Sequence, residues 1–384
     1  MMNESAGAGL YDVTSSSSHG NLTDSFPVHV HHPVTTFIET YSIPVLCILG
    51  LIGNSLASIV FFQKQLRNSS SSIFLATRGL SDNGFLSTLL IIWLSRTFQL
   101  QLGGVPGACR VIIFLTYVCG CVSVWLVVFV TFENYIRICR PFIVNRVCKT
   151  STAKLAVLVL IIFAVGLYNF PFWAMSGECK PYQEHYNLVQ ALVYTDTVVT
   201  LVMPLICITV LMAAIVYDLV KSYNRRSKLH APTVKRMNNP MAKVTKMLLA
   251  VTVTFFCLNL PSHVNRLRIM ISSFLLDSDN TPSGESYLDE EAIMYITLFM
   301  SYLSLTINIV VYITFGSKFR TVFIELVTCS FCSTLLTFSR QPTNASSREL
   351  CNGNQTRTST CQATKEVVID YSETTHLNAQ AENV

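Results

Sequence analysis

Seven stretches of mostly apolar residues recur along the 384-residue chain, centred near Leu49, Leu86, Val122, Ile162, Leu205, Phe256 and Leu303. Each has the roughly 20 residues that a helix needs to cross a bilayer. The fourth, from Ala153 to Ala174, is the cleanest, and the second is interrupted by Arg78, Asp82 and Asn83. The pattern predicts an all-α membrane protein, a seven-transmembrane helix bundle. An arm over 1–34 precedes the bundle of 35–328, and a disordered tail over 329–384 follows it. After Tyr312, basic and apolar residues from Gly316 to Ile324 alternate at helical spacing, which predicts a short amphipathic eighth helix on the membrane surface. No internal repeat is visible.

Composition agrees. The chain is 51% hydrophobic and 13% charged, against about 25% charged in soluble domains. The net charge of +5 matters through its distribution. No Lys or Arg precedes Lys64. Basic residues then mark alternate connections: Lys64 and Arg67; Arg140, Arg146 and Lys149; Lys221, Arg225, Arg226, Lys228, Lys235 and Arg236; and Lys318 with Arg320. The positive-inside rule places these in the cytosol and the N-terminus outside. The connection after the sixth stretch is acidic (Asp277, Asp279, Glu285, Asp289, Glu290, Glu291), as an outer loop should be. The first 30 residues lack a charged start and apolar core, so the first span is expected to serve as the insertion signal, and the plasma membrane is the expected location.

Of the 13 cysteines, only Cys109 and Cys179 fall on the predicted outer face, where thiols oxidise. No Cys/His spacing reads as a metal site. Asn3 and Asn21 open glycosylation tripeptides on the outer side, a pattern that also arises by chance. Cys329 and Cys332 follow the surface helix and are either acylated or plain thiols.

A polar side chain at mid-membrane depth must face a partner or a cavity. Asn54, Asp82, Asn83, Ser123, Ser304 and Asn308 all do so, as a functional site or as a network that glues helices.

Several of these residues sit in motifs. Gly53-Asn54, Leu80-Ser81-Asp82 and Asn308-Ile309-Val310-Val311-Tyr312 fall in the first, second and seventh segments, and Glu133-Asn134-Tyr135 ends the third. Cys109 lies 25 residues before Asn134, while Pro204 and Pro261 stand in segments five and six. Over about 35–330 the chain resembles the rhodopsin-like (class A) G-protein-coupled receptors. The resemblance implies a Cys109–Cys179 disulfide, a small pocket for an allosteric sodium ion at Asp82, Ser123 and Asn308, and no other cofactor. It implies activation of a heterotrimeric G protein through an outward swing of helix six past Phe255, with Glu133, Asn134, Tyr135 and Tyr312 in the switching region. Arrestin would meet a phosphorylated Ser/Thr tail.

Four departures stand out. Asn134 replaces the family's Arg, and Met241 stands where helix six keeps an acid, so the resting-state ion pair is missing from both ends. Weak clamping is expected, with Arg137 taking the G-protein role; the alternative is poor coupling. Asn259 excludes a Trp toggle. Ile309 replaces the Pro expected after Asn308, which predicts a less kinked seventh helix. Helix four lacks its central Trp.

Asn259, Ser262, His263 and Arg266 recur at i, i+3, i+4 and i+7, a polar face that must look into the bundle. The Arg266 fork suits a carboxylate or amide terminus, or else an internal acid such as Glu178. Arg268 points elsewhere. Trp93, Arg96, Gln99, Thr116, Tyr117, Gly120, Asp196 and Tyr302 complete the candidate pocket. Thr116 stands where amine receptors keep Asp, and Tyr302 where opsins keep Lys, so neither an amine nor retinal is expected. Glu178 and Glu184 favour a positively charged ligand. A short amidated peptide fits, similar to the neuropeptide-receptor branch. Rival readings are a lipid or small-molecule ligand, which calls for a more apolar pocket, and a transporter or channel, which calls for repeated halves or a filter. No nucleophile–base pair argues for an enzyme, and no pattern argues for nucleic acid. The partners expected are the peptide, the G protein, arrestin and membrane lipid.

Overall fold

The computed structural model describes residues 33–99, 107–176, 180–228, 240–275 and 284–338. Asn3, Asn21, Glu178, Cys179, the basic stretch 229–239, much of the acidic connection and the tail from 339 lie outside them. Cys329 and Cys332 are described in backbone alone. The chain divides into two units, Met1–Cys329 and Ser330–Val384.

Among the described residues every regular element is helical. The bundle consists of α1 (Pro33–Phe62), α2 (Ser70–Thr97), α3 (Ala108–Cys139), α4 (Thr150–Leu167), α5, α6 (Pro240–Leu275), α7 (Gly284–Thr306) and α8 (Asn308–Phe315). Helix α5 runs as Tyr186–Thr197, a π-turn at Val198–Val202, and Met203–Lys228. A further helix, α9, spans Ser317–Phe338.

Five of these are long and apolar enough to cross a bilayer unaided, and α7 with α8 forms a bent sixth. The remaining one, α2, has 28 residues, but it carries Arg78 and Asp82, both fully buried among its neighbours. Its polarity is hidden from lipid by packing, which is why hydropathy reads it weakly. Helix α4 shows the opposite economy. It buries only Ala153, Val157, Leu160 and Ala164, one stripe at helical spacing. Leu155, Leu158, Val159, Ile162 and Phe163 are half exposed or more, which lipid favours and water would not. This is a multi-pass membrane protein.

Helix α3 is the axis, packing against α2, α4, α5 and α6. Where α2 meets α1 the backbones approach closely. A Cβ on Gly79 would sit 2.5 Å from Ser58 Oγ and 3.1 Å from the Asn54 carbonyl oxygen.

Two prolines shape their helices in the same way. Pro44 and Pro204 cannot donate to the preceding turn, and each follows a π-turn, Ile38–Ser42 and Val198–Val202. In both, the carbonyl five residues before the proline is taken by an indole. Trp93 Nε1 donates to Glu39 O at 2.9 Å, and Trp125 Nε1 to Val199 O at 3.1 Å.

Helix seven corrects an expectation. Without a proline after Asn308 it should run straighter, yet α7 and α8 meet at 49° around Ile307. Side chains supply the break. Both Asn54 Nδ2 (3.0 Å) and Asn308 Nδ2 (3.1 Å) donate to the Leu305 carbonyl, and Thr306 Oγ1 donates to Leu46 O at 3.2 Å. Amides inserted into the carbonyl ladder bend a helix as a proline does.

At Gly316 the chain turns into α9. A Cβ there would lie 2.5 Å from the Tyr312 carbonyl oxygen and 2.6 Å from Met247 Sδ. Phe319 then packs on Phe61 and Tyr312, with ring centroids 5.0 and 5.4 Å apart. Lys318 and Arg320 are exposed beside it, so the first turns are amphipathic as the sequence pattern predicts. The backbone helix is described as far as Phe338.

Candidate ligand and signalling sites

Cys109 opens α3 and is disulfide-bonded. The segment between α4 and α5 folds back over this end. Met175 and Pro181 form an antiparallel bridge, and Ser176 N donates to Lys180 O at 2.8 Å. Arg110 ties it to α3, donating to Ser176 O at 3.3 Å and Phe172 O at 3.5 Å.

Within this end, the α6 face divides by depth. Asn259 is buried and committed: Nδ2 donates to Ser304 Oγ (2.7 Å) and Phe255 O (2.9 Å), and Oδ1 accepts from Ser301 Oγ (2.7 Å). It bridges α6 to α7 rather than facing open space. Ser262 is buried and His263 partly so. Arg266 is exposed, with no ion-pair or hydrogen-bond partner among the described residues. Its charge nevertheless acts on Asp196 of α5, His263, and Tyr302 of α7. The guanidinium is thus within electrostatic range of both flanking helices. Arg268 turns outward to Glu290, 3.4 Å away.

Tyr302 lies in the field of Arg266 and of Arg96. Arg96 itself pairs with Glu39 at 2.8 Å, and Trp93 holds the same residue's carbonyl, so both fasten α2 to α1. Asp196 accepts from Tyr168 Oη at 2.5 Å. Tyr168 stacks on Tyr117, with centroids 5.3 Å apart and planes 17° apart, beneath the α4–α5 segment. Thr116 bonds Thr88 at 2.9 Å, and Gly120 packs near Phe85. Gln99 is exposed at the end of α2 with a φ of 50°. His263, Tyr302 and Asp196 thus all lie within electrostatic range of Arg266. Asn259 is buried, and Thr116 and Gly120 are partly buried.

Deeper in the bundle, Asp82 Oδ1 accepts from Ser123 Oγ and Oδ2 from Asn308 Nδ2 at 2.9 Å. The three expected residues converge, and a fourth joins them. Arg78 Nε lies 3.7 Å from Asp82 Oδ2, both side chains being fully buried. The sequence signal was present as a charge one helical turn before Asp82, but Arg78 read there only as an interruption of the span.

At the far end of α3, Glu133 Oε1 takes Arg137 Nη2 at 2.5 Å and Ser70 Oγ. Arg137 also donates to Ser71 Oγ at 3.0 Å. The acid at this motif is therefore paired within its own helix and pinned to α2, so Arg137 must leave two partners to serve any other role. Asn134 is fully buried, and neither amide atom has a hydrogen-bond partner among the described residues. Thr131 and Thr252 link α3 to α6 at 3.1 Å. Tyr135 is partly buried, and Tyr312 is buried edge-on to Phe61.

Residues 53–312 match the sequence profile of the 7 transmembrane receptor (rhodopsin family), more than half of the chain. The chain belongs to the rhodopsin family of seven-transmembrane receptors. This receptor is similar to the FMRFamide receptor of Drosophila melanogaster, 22% identical over 310 residues, 73% of this chain and 52% of that one. It also resembles the thyrotropin-releasing hormone receptor of Bos taurus, 24% identical over 320 residues, 74% and 76% of the two chains. An FMRFamide peptide receptor of Caenorhabditis elegans is 27% identical over 135 residues, 34% of this chain and 31% of that one. The match thus spans a third to a half of the FMRFamide receptors' own length. The receptor is a signalling protein with neuropeptide-receptor relatives, and not an enzyme.

Proposed function

We propose that the receptor binds a short amidated peptide at the mouth formed by α5, α6 and α7 and passes the signal to a heterotrimeric G protein at the Glu133 end. The observation that carries this reading is Arg266, a permanent charge that is exposed on α6, within electrostatic range of Asp196 and Tyr302, and without a direct ion-pair or hydrogen-bond partner among the described residues. A planar fork of donors suits an amide or carboxylate terminus. Asp196 and Glu184 offer acids for a basic residue of the peptide. The relatives named for FMRFamide, an amide by its name, support the class. In this reading the mouth faces outside, Asn3 and Asn21 are glycosylated, Cys109 pairs with Cys179, and Cys329 and Cys332 are acylated. The phosphorylated tail recruits arrestin.

The test is a screen of amidated neuropeptides against the expressed receptor, reading calcium and cyclic AMP. A hit whose potency falls at least tenfold in Arg266→Ala, with surface expression intact, supports the site. Unaltered potency overturns it.

A further inference from the structure

The resemblance assigns a sodium ion to Asp82, Ser123 and Asn308, and the side chains around Asp82 do not fit one. Sodium needs oxygen ligands. Here Asn308 turns its Nδ2, which has no free lone pair, to Asp82 Oδ2 at 2.9 Å, and Ser123 donates to Oδ1. The same carboxylate already faces a cation, because Arg78 Nε stands 3.7 Å from Oδ2. Arginine stays charged under all physiological conditions. One carboxylate balances one guanidinium, and adding sodium would leave a net positive charge buried in the bundle.

We propose that Arg78 is the receptor's core cation: a guanidinium tethered to α2 holds the place against Asp82 that a sodium ion would take, and makes the receptor insensitive to sodium. Its reach exceeds that of an ion. Arg78 Cζ lies 5.5 Å from the centroid of the Phe255 ring on α6, a cation–π contact. The Tyr312 phenol of α8 is its neighbour on the other side. Among the described residues Nη1 and Nη2 have no partner at full hydrogen-bond geometry, so Asp82, the Phe255 face and the nearby Tyr312 phenol are what hold the charge. Through one side chain, α2 is thereby linked to α6 and α8, while Asp82 links it to α3 through Ser123. The inference concerns the core alone and does not depend on which ligand fills the mouth.

The experiment is thermal unfolding of the purified full-length receptor in sodium chloride and in choline chloride at equal ionic strength. The wild type is expected to show the same Tm in both. Arg78→Leu, which vacates the cation position, is expected to gain a sodium-specific rise that Asp82→Asn in the same background removes. A sodium-specific rise in the wild type that Asp82→Asn abolishes overturns the proposal. So does the lack of any sodium response in Arg78→Leu, since no cation position would then exist. If Arg78→Leu fails to fold, Arg78→Met serves in its place. A double-mutant cycle adds an independent arm: Arg78→Leu with Asp82→Asn should lose less stability than the two single losses added. Simple additivity would sink the pairing.

Discussion

Trp125 on α3 donates its indole N–H to the carbonyl of Val199 on α5, at 3.1 Å. That carbonyl is free because Pro204, five residues on, follows a π-turn. Removing the donor should therefore cost stability. Trp125→Phe is expected to lower Tm by the equivalent of about 1 kcal/mol, the scale of an interhelical hydrogen bond in a membrane protein. In a Pro204→Ala background the backbone can close an ordinary turn and the penalty should shrink. An equal penalty in both backgrounds would show that packing of the indole, not its hydrogen bond, is what matters.

Asn259 holds α6 to α7 through Ser301 and Ser304. Asn259→Leu breaks both links and leaves two hydroxyls to find new partners, at about 1–3 kcal/mol. If α6 must move for signalling, basal activity per receptor at the surface should rise. The pair Ser301→Ala with Ser304→Ala should raise it likewise. Unchanged basal signalling in both variants would place the hinge elsewhere.

Asn134 buries an amide whose two polar atoms have no described hydrogen-bond partner. An apolar residue of similar size should be tolerated, because a buried orphan group costs about 1–3 kcal/mol. Asn134→Leu is expected to leave Tm unchanged or raise it. Asn134→Arg should lower it, as a larger charged group enters a full site whose acid, Glu133, is already paired with Arg137. A marked loss of Tm in Asn134→Leu would show that the amide has a partner in the folded receptor.

Gly79 lets α2 lie against α1. Gly79→Val should reduce surface expression, since overpacking costs about 1–3 kcal/mol. Gly79→Ala should be milder, and Ser58→Ala should rescue part of it by removing the oxygen that the new Cβ meets at 2.5 Å. Wild-type expression of Gly79→Val would mean that the two helices can part at little expense.

Much of the bundle was legible because lipid imposes a length and a polarity on each span, and both are local properties of the chain. The seven helices, the weakness of α2 and the amphipathic start of α9 could be read from spacing and composition, whereas the grouping of Asp82 with Ser123 and Asn308 came from the family resemblance. The polar face of α6 was legible too, but its division was not. Whether Asn259 or Arg266 is free depends on what α7 offers at each depth, and only Ser301 and Ser304 decide that.

The bend in helix seven shows the same limit. Ile309 argued for a straighter rod, while the amides of Asn54, from another helix, and Asn308 break it at Leu305. Arg78 shows it most sharply. In the chain it is a charge that spoils a span; in the fold it is the counter-ion of Asp82 and lies over Phe255. Sequence by itself determined where the chain meets lipid, because transfer from water acts residue by residue. Tertiary structure alone decided which buried polar groups pair, because hydrogen bonds and ion pairs depend on distances between residues far apart in the chain.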